Sequence, residues 1–539
     1  MIQGIATQNE LLAAWAVCRA ARDTWLVGDP LRFVDFDALG APPEVNSWSH
    51  ELLESLVVSR PKPSGGIRYE FFLDPFSATV LQVVAERIMQ TRQLPVASVS
   101  ARLFGIRLRE ADPYDLWTGS IPVWIRRQLG VGRTVVAADI ANFFPCISRS
   151  RIEAVLAALG EPALADEILA TFDILNQSGR VEIAGLPVAP DEIFWLIADL
   201  SLQEFDDILR ADPMVTDHVR WVDDVYVAVP SERAGDAEKL INSAAQQCGF
   251  SLNPAKTQHF VDTRAFETFS YAGVHRSLDR LFLIADSGDP GVIDRELREL
   301  RYAVADATPE ATRVIKRIYG LGAKAGSSWL AEHAEQDLGL YPAAEVAILN
   351  YATSLAVAAV PMRLLENALL SPRFDSTRLA ALRGLLAHQA RVGHAPEILE
   401  MLGRVAQWVP TGGHPLAWAL AVGAYVTLAP GDARGAFSLR ALEAVGSIPS
   451  GPSRRVAYEF LATLDTRRAA VLRAIKADSS RSVQLLARAL DGSSQWAGMG
   501  PVRRFRKGPY SWGGADAAIA RALLPERVAH ALFPPLRHG

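Results

Sequence analysis

Two stretches decide the fold: TVVAAD at residues 134–139 and HVRWVDDVYVAV at residues 218–229. The first is an unbroken apolar run with β-branched residues, and it ends on a carboxylate. Such a run reads as a strand buried on both faces. The second holds two short β-rich runs, His218–Val222 and Val225–Val229, joined through Asp223-Asp224, which reads as a hairpin with an acidic tip. Acids are common in turns. A pair of them between strands rich in Trp, Val and Tyr is costly, because adjacent carboxylates repel and resist leaving water unless a cation neutralises them.

Working outward, Ser148 to Leu159 reads as a helix with Ser148 or Ser150 as its N-cap, and Asp191 to Leu209 as one long apolar helix. Ser231, after Pro230, is the expected N-cap of a helix running to about Cys248. SLNPAKTQHFV (251–261) and FSYAGVH (269–275) are expected to supply a loop and short strands. Upstream, PKPSGGIR (61–68) is a basic hairpin signal, and a helix is expected from about Ser77 to Gln90. Strands alternating with helices over 134–275 indicate a layer of sheet and helices. Residues 1–60 read as a mixed helical extension. Beyond about Pro290 the strand signal ends. Ala-, Leu- and Arg-rich helical patterns follow, punctuated at Pro309, Gly320, Pro342, Pro361, Pro372, Pro396, Pro410 and Pro430, as in a solenoid of paired helices. The expected units are 1–60, 61–290 and 291–539; in an alternative division the middle unit extends into the first C-terminal helices, near Tyr319.

At 539 residues, half of them hydrophobic and 21% charged, the chain is neither disordered nor collagen-like. The net charge of −5 conceals an asymmetry: residues 1–290 carry 25 basic and 39 acidic side chains, whereas residues 451–539 carry 15 and 6. A polyanion would be drawn to the C-terminal end. Cys18, Cys146 and Cys248 are too dispersed for a disulfide framework or a structural zinc site, which suits a reducing cytoplasm. The start, MIQGIATQNELLAAW, is unlike a signal peptide, and the apolar stretch Tyr351–Met362 is too short to span a bilayer.

The motifs carry a resemblance. Asp139-Ile-Ala-Asn-Phe-Phe-Pro145 looks like motif A of reverse transcriptases, and Arg220-Trp-Val-Asp-Asp224 like their motif C, usually Tyr-x-Asp-Asp. Gly185-Leu-Pro-Val-Ala-Pro190 resembles motif B, Leu252-Asn-Pro-Ala-Lys-Thr257 motif D, Phe269-Ser-Tyr-Ala-Gly273 the thumb-side motif, and Lys62-Pro-Ser-Gly-Gly-Ile-Arg68 the fingers segment. Six blocks stand in the family's order. The resemblance implies an α+β right-hand polymerase (fingers, palm, thumb) followed by an all-α HEAT-like domain. It implies that Asp139 and Asp223, with Asp224 as auxiliary carboxylate, ligate Mg²⁺ or Mn²⁺. Such a metal pair, about 4 Å apart, activates a hydroxyl and stabilises leaving pyrophosphate. Lys256 becomes the residue that approaches the pyrophosphate and acts as general acid. Arg68 and Lys62 become triphosphate contacts, Phe144 the aromatic gate that selects dNTPs, and Gly185 and Pro187 the shapers of the motif B loop.

Departures narrow the resemblance. Val188-Ala189 stand where Gln and Gly are usual, Asp191-Glu-Ile-Phe194 replaces the usual motif B continuation, Trp221 replaces Tyr, and the retron signatures are missing. With the long helical C-terminal part, this resembles the abortive-infection, defence-associated bacterial reverse transcriptases. The implied function is DNA synthesis in antiphage defence by a homo-oligomer, with dNTPs as substrate. It further implies a DNA product, an associated non-coding RNA and either protein priming or synthesis without a conventional template. Arg503, Arg504, Arg506 and Lys507, interleaved with aromatic residues, are candidate contacts to a single strand, and Tyr510 in RKGPYSWGG is a candidate primer. The alternatives are a palm-fold nucleotidyl cyclase and an inactive nucleic-acid- or partner-binding scaffold.

Overall fold

The computed structural model describes residues 53–484 apart from 64–65, 93–94, 96, 101–112, 179–183, 190, 286–289, 305–306, 389–394, 408–413, 463–467 and 481–482, together with residues 10, 11, 13 and 14. The protein is α+β: mostly helix, with two small antiparallel sheets. Strands β1 (Ser55–Pro61) and β2 (Ile67–Leu73) form one hairpin. Strands β3 (Arg133–Asp139), β4 (Asp217–Trp221), β5 (Asp224–Pro230) and β6 (Gln258–Phe260) form a sheet of order β4-β5-β3-β6.

β3 sits between two partners, and its side chains alternate between two cores. Val136 and Ala138 pack with Ile197, Phe194 and Ala244, from the helices Glu192–Leu200 and Ala234–Gln247. Val135 packs on the other face with Ile121, Ile125, Phe260 and Phe266. This two-sided burial is why TVVAAD lacks polar alternation. The third core joins the C-terminal helices. Glu345–Ser354 packs on Asp375–Ala387, which packs on Pro415–Leu428, which packs on Gly451–Ala462; Met362–Leu370, Pro396–Gln407 and Gly431–Val445 flank this row.

The β1–β2 hairpin belongs to both halves. Leu56, Val58 and Phe72 enter the helical core, whereas Phe71 and Leu73 enter the sheet core. Ser59 donates its backbone N–H (3.1 Å) and hydroxyl (2.8 Å) to Asp375, a His414 ring nitrogen meets the Val57 carbonyl at 2.7 Å, and the Phe71 N–H donates to the Val188 carbonyl at 2.9 Å. The hairpin's basic end is thereby held between the two halves.

Several expected elements differ. Asp191–Leu209 is two helices, Glu192–Leu200 and Gln203–Ala211, because the chain turns at Ser201-Leu202 and aims Asp199 and Asp206 at one buried arginine. Ser231 does not cap the helix Ala234–Gln247: its hydroxyl bonds the Gly132 carbonyl and Thr134, and Ser231–Arg233 forms a 3-10 turn. The FSYAG segment is helical rather than extended, at the junction of Thr263–Phe269 and Ala272–Ile284, where Tyr271 takes φ +52°. Gly320 lies inside the helix Pro309–Ala325 instead of ending it; an interior glycine costs only about 1 kcal/mol. Most of residues 1–60, and all of Arg503, Arg504, Arg506, Lys507 and Tyr510, lie outside the described residues. Among the described residues, no helix is long and apolar enough to cross a membrane.

Candidate active site

Asp139 ends β3 and pairs in antiparallel register with Asp224, which opens β5. The Ile140 N–H donates to the Asp223 carbonyl at 3.1 Å. The sheet register thus brings residues 85 positions apart to one edge. The two-residue turn is Val222-Asp223, so Asp224 belongs to the strand rather than the tip.

Val222 has φ +54°, an uncommon and strained conformation for a β-branched residue. Its surroundings hold it there. Its N–H donates to the Ser100 hydroxyl at 3.0 Å, and its carbonyl accepts from Arg220 Nη1 at 3.2 Å. Arg220 is fully buried. Its Nε reaches both Asp206 oxygens at 3.0 Å, its Nη1 pairs with the Asp199 carboxylate, and its Nη2 donates to the Asp199 carbonyl at 2.8 Å. The Ser98 hydroxyl adds 2.8 Å contacts to Asp199. The strained tip that carries Asp223 therefore rests on a buried ionic clamp.

The acids feel one another. Burial, then the Asp139 charge, pushes Asp223 up to about 6; burial, then Asp223 and Asp139, pushes Asp224 up to about 7. Lys256 Nζ lies 2.6 Å from Asp139 Oδ1. Burial opposes the ammonium, but the Asp139 hydrogen bond and field prevail and raise its pKa. Lys256 is brought there by the segment that runs along the end of β3, where the Asn253 N–H donates to the Asp139 carbonyl at 2.8 Å. Lys62 Nζ donates to Asn142 Oδ1 at 3.3 Å; burial, then Arg68 and Lys256, lowers its pKa.

These groups line one cavity of about 970 Å³, at the upper end of the range for small-molecule sites. Nine cationic and seven acidic side chains line it, so the walls suit a ligand bearing several negative charges, with the aspartates grouped on one side. Among the described residues, no three His, Cys, Asp or Glu side chains are already gathered around a common metal position; Asp139 is paired with the Lys256 ammonium. The donor set still fits a hard divalent cation. It offers carboxylate oxygens alone, and their mutual repulsion and burial favour the protonated forms, a cost that a bound cation would relieve.

Asp139, Asp223, Asp224, Lys256, Arg68 and Lys62 all meet at this cavity. Phe144 does not. It is 9% exposed in the sheet core, edge-on to Trp195 with ring centroids 5.2 Å apart, and it is Trp195 that faces the cavity with Val188 and Ala189. Gly185 has φ +83°. A Cβ there would press into the Pro145 carbonyl and lie 2.8 Å from that of Ile147, so the glycine lets the motif B loop lie against the Phe143–Cys146 turn. Pro187 is buried in the same loop. The Asp199–Arg220–Asp206 clamp was not anticipated, although one acid, Asp199, inside the apolar run IFWLIADL signalled it. Nor were the cations Arg313, Lys316 and Arg317, which sit far along the chain on a helix whose periodicity carries no chemical motif.

No protein-family model matches the sequence, and no curated protein matches it. The chemical reading therefore rests on the order of the motifs and the geometry of the cavity.

Proposed function

We propose that the protein is a DNA polymerase of the reverse-transcriptase class, adding dNTPs at the cavity edge where Asp139, Asp223 and Asp224 meet. The observation that carries this reading is the register of β3 on β5, which sets Asp139 opposite Asp224 beside a cavity rich in cations. In this reading the β1–β2 hairpin serves as fingers, the four-stranded sheet as palm, the helix Pro309–Ala325 as the start of the thumb, and the following helices as a HEAT-like domain.

Asp139 and Asp223 would hold Mg²⁺ or Mn²⁺, with Asp224 adding charge; the bound ions supply a more acidic hydroxyl and neutralise charge on phosphate. Arg68 and Lys62 bind and orient the triphosphate, as cations matched to phosphate oxygens. Lys256 holds its proton at Nζ, and on leaving Asp139 it is set to pass that proton to the departing pyrophosphate. Trp195, Val188 and Ala189 form the apolar part of the wall on which the sugar and base rest. Gly185 and Pro187 keep the loop beneath them tight. Antiphage defence by a homo-oligomer, making DNA with or without an RNA template, is the setting that the resemblance proposes.

Purified protein given Mg²⁺ and labelled dNTPs should incorporate label into acid-insoluble product, and Asp223→Ala/Asp224→Ala protein should not. Equal incorporation by both would end this reading. Small cyclic products made from rNTPs would favour a cyclase, and no product from either nucleotide set would favour a scaffold.

A further inference from the structure

The cavity holds a second group of cations, on the helix Pro309–Ala325, which reaches the aspartates through Arg313, whose charge acts on Asp224. The helix Pro309–Ala325 carries Arg313, Lys316 and Arg317, spaced so that they share one face, and all three line the cavity with Arg60 of β1. Three of these four have anionic partners. Arg60 Nη1 lies 2.8 Å from the Glu70 carboxylate, Arg317 pairs with Asp279 and donates to His275 Nδ1 at 2.8 Å, and Arg313 lies 3.9 Å from Glu310. Lys316 has no hydrogen bond or ion pair among the described residues. Glu345, the acid whose charge acts on Lys316, already accepts from the Ser376 and Thr377 hydroxyls. Although the Lys316 side chain is exposed to the cavity, desolvation by the surrounding walls, then Arg60 and Arg313, lowers its pKa. A folded chain that gathers like charges around an unpaired ammonium, open to a cavity, is suited to an anion supplied from outside.

We infer that Lys316, with Arg313 and Arg60, forms a phosphate subsite that holds the backbone of a nucleic-acid strand along the helix Pro309–Ala325. The inference rests on the polymerase reading for the identity of the strand. The nucleotide's own triphosphate has a different set of cations. Lys62 and Lys256 act directly on Asp139 and Asp223, whereas the strongest electrostatic neighbours of Lys316 are Arg60, Arg313, Glu345 and Arg68. Arg68 acts on both Asp223 and Lys316, and Arg313 on both Asp224 and Lys316, so these two arginines stand between the groups and Lys316 is the member that acts on neither Asp223 nor Asp224. A strand held at Lys316 would then run toward the carboxylates past Arg68.

The test compares parent, Lys316→Ala and Lys316→Gln full-length proteins. Binding of fluorescein-labelled oligo(dT) of 20 nucleotides is read by anisotropy in EDTA over a salt series, and binding of dTTP is read separately by calorimetry. Both variants should bind the oligonucleotide about tenfold more weakly, with a log–log salt slope shallower by about 0.7, the value for one single-strand phosphate contact. Their dTTP affinity should stay within about twofold. Removing a cation from a like-charged cluster should leave the melting temperature unchanged or raise it, so a fall in binding is separable from misfolding. Weaker dTTP binding with unchanged oligonucleotide binding would assign the subsite to the triphosphate and overturn the inference. Unchanged binding of both, or no oligonucleotide binding by the parent, would overturn it as well. Because no synthesis is measured, a protein that binds strand through Lys316 but incorporates no dNTP keeps the subsite and loses the polymerase reading.

Discussion

Replacing Arg220 by leucine tests how the turn that carries Asp223 is supported. The change removes the one cation between two carboxylates, Asp199 at 0% and Asp206 at 1% exposure, and also the donors to the Val222 and Asp199 carbonyls. Breaking a buried ion pair from one side costs about 3–5 kcal/mol, because the remaining charge is left uncompensated. Two carboxylates and a freed, strained turn place Arg220→Leu at the upper end of that range. At roughly 2–4 °C per kcal/mol for a unit of 150–250 residues, the melting temperature should fall by about 10 °C or more. Thermal unfolding followed by tryptophan fluorescence reports it. The loss has a pH signature. Burial already raises Asp199, and losing the guanidinium that opposes this favours its protonated form further, so its folded-state pKa lies above the unfolded one. Its contribution is then most favourable at low pH and is lost as pH rises. The deficit of Arg220→Leu should therefore shrink from pH 7 to pH 5, and Asp199→Asn plus Asp206→Asn added to Arg220→Leu should recover part of the stability at pH 7. A melting temperature within about 2 °C of the parent, with no pH dependence in the difference, would refute the clamp.

Three further outcomes follow from the site. Asp223 and Asp224, raised to about 6 and about 7, bind more protons folded than unfolded, so in EDTA the protein should lose stability as pH rises from about 4 to 7, and Mg²⁺ should restore it at pH 8 but not at pH 5; melting curves that respond to Mg²⁺ equally at both values would contradict this. Gly185→Ala combines a left-handed backbone with two carbonyl clashes and should cost about 2 kcal/mol or more, read as a lower urea midpoint; an unchanged midpoint would show that the loop relaxes freely. Trp195→Ala should change discrimination between dNTPs and rNTPs more than Phe144→Leu, which should instead lower stability by about 1 kcal/mol as the ring loses its edge contact with Trp195; the reverse ranking in incorporation assays would put Phe144 at the sugar after all.

The strands β3, β4 and β5 were legible because their chemistry is local, whereas Ser55–Pro61, mostly within the stretch expected to be helical, is strand β1. TVVAAD has no polar alternation, since β3 is covered on both faces, and the hairpin around Asp223 is marked by the contrast of acids with Trp, Val and Tyr. The convergence of Asp139 with Asp224 follows from an antiparallel register that no local signal specifies; only the ordered motifs anticipated it. The break at Ser201-Leu202 was hidden because the helical pattern resumes at once, with Phe205 and Leu209 on a buried face, and what ends the first helix is the demand of a buried arginine 20 positions away in sequence. Phe144 is as close in sequence to Asp139 as a gate residue should be, yet its ring turns into the core because the Phe143–Cys146 turn packs against the Gly185 loop. Cations on the helix Pro309–Ala325 escaped notice because proximity to the cavity is set by the packing of the C-terminal helices on the β1–β2 hairpin.

In the proposed mechanism Asp139 and Asp223 share a divalent cation. Diffraction from crystals soaked in Mn²⁺, collected at the manganese absorption edge, locates the ion directly. A shared ion requires an anomalous peak within about 2.2 Å of an oxygen of each residue, with the Lys256 ammonium withdrawn from Asp139 Oδ1. At saturating Mn²⁺, no peak between the two carboxylates and a Lys256–Asp139 pair still intact would contradict it.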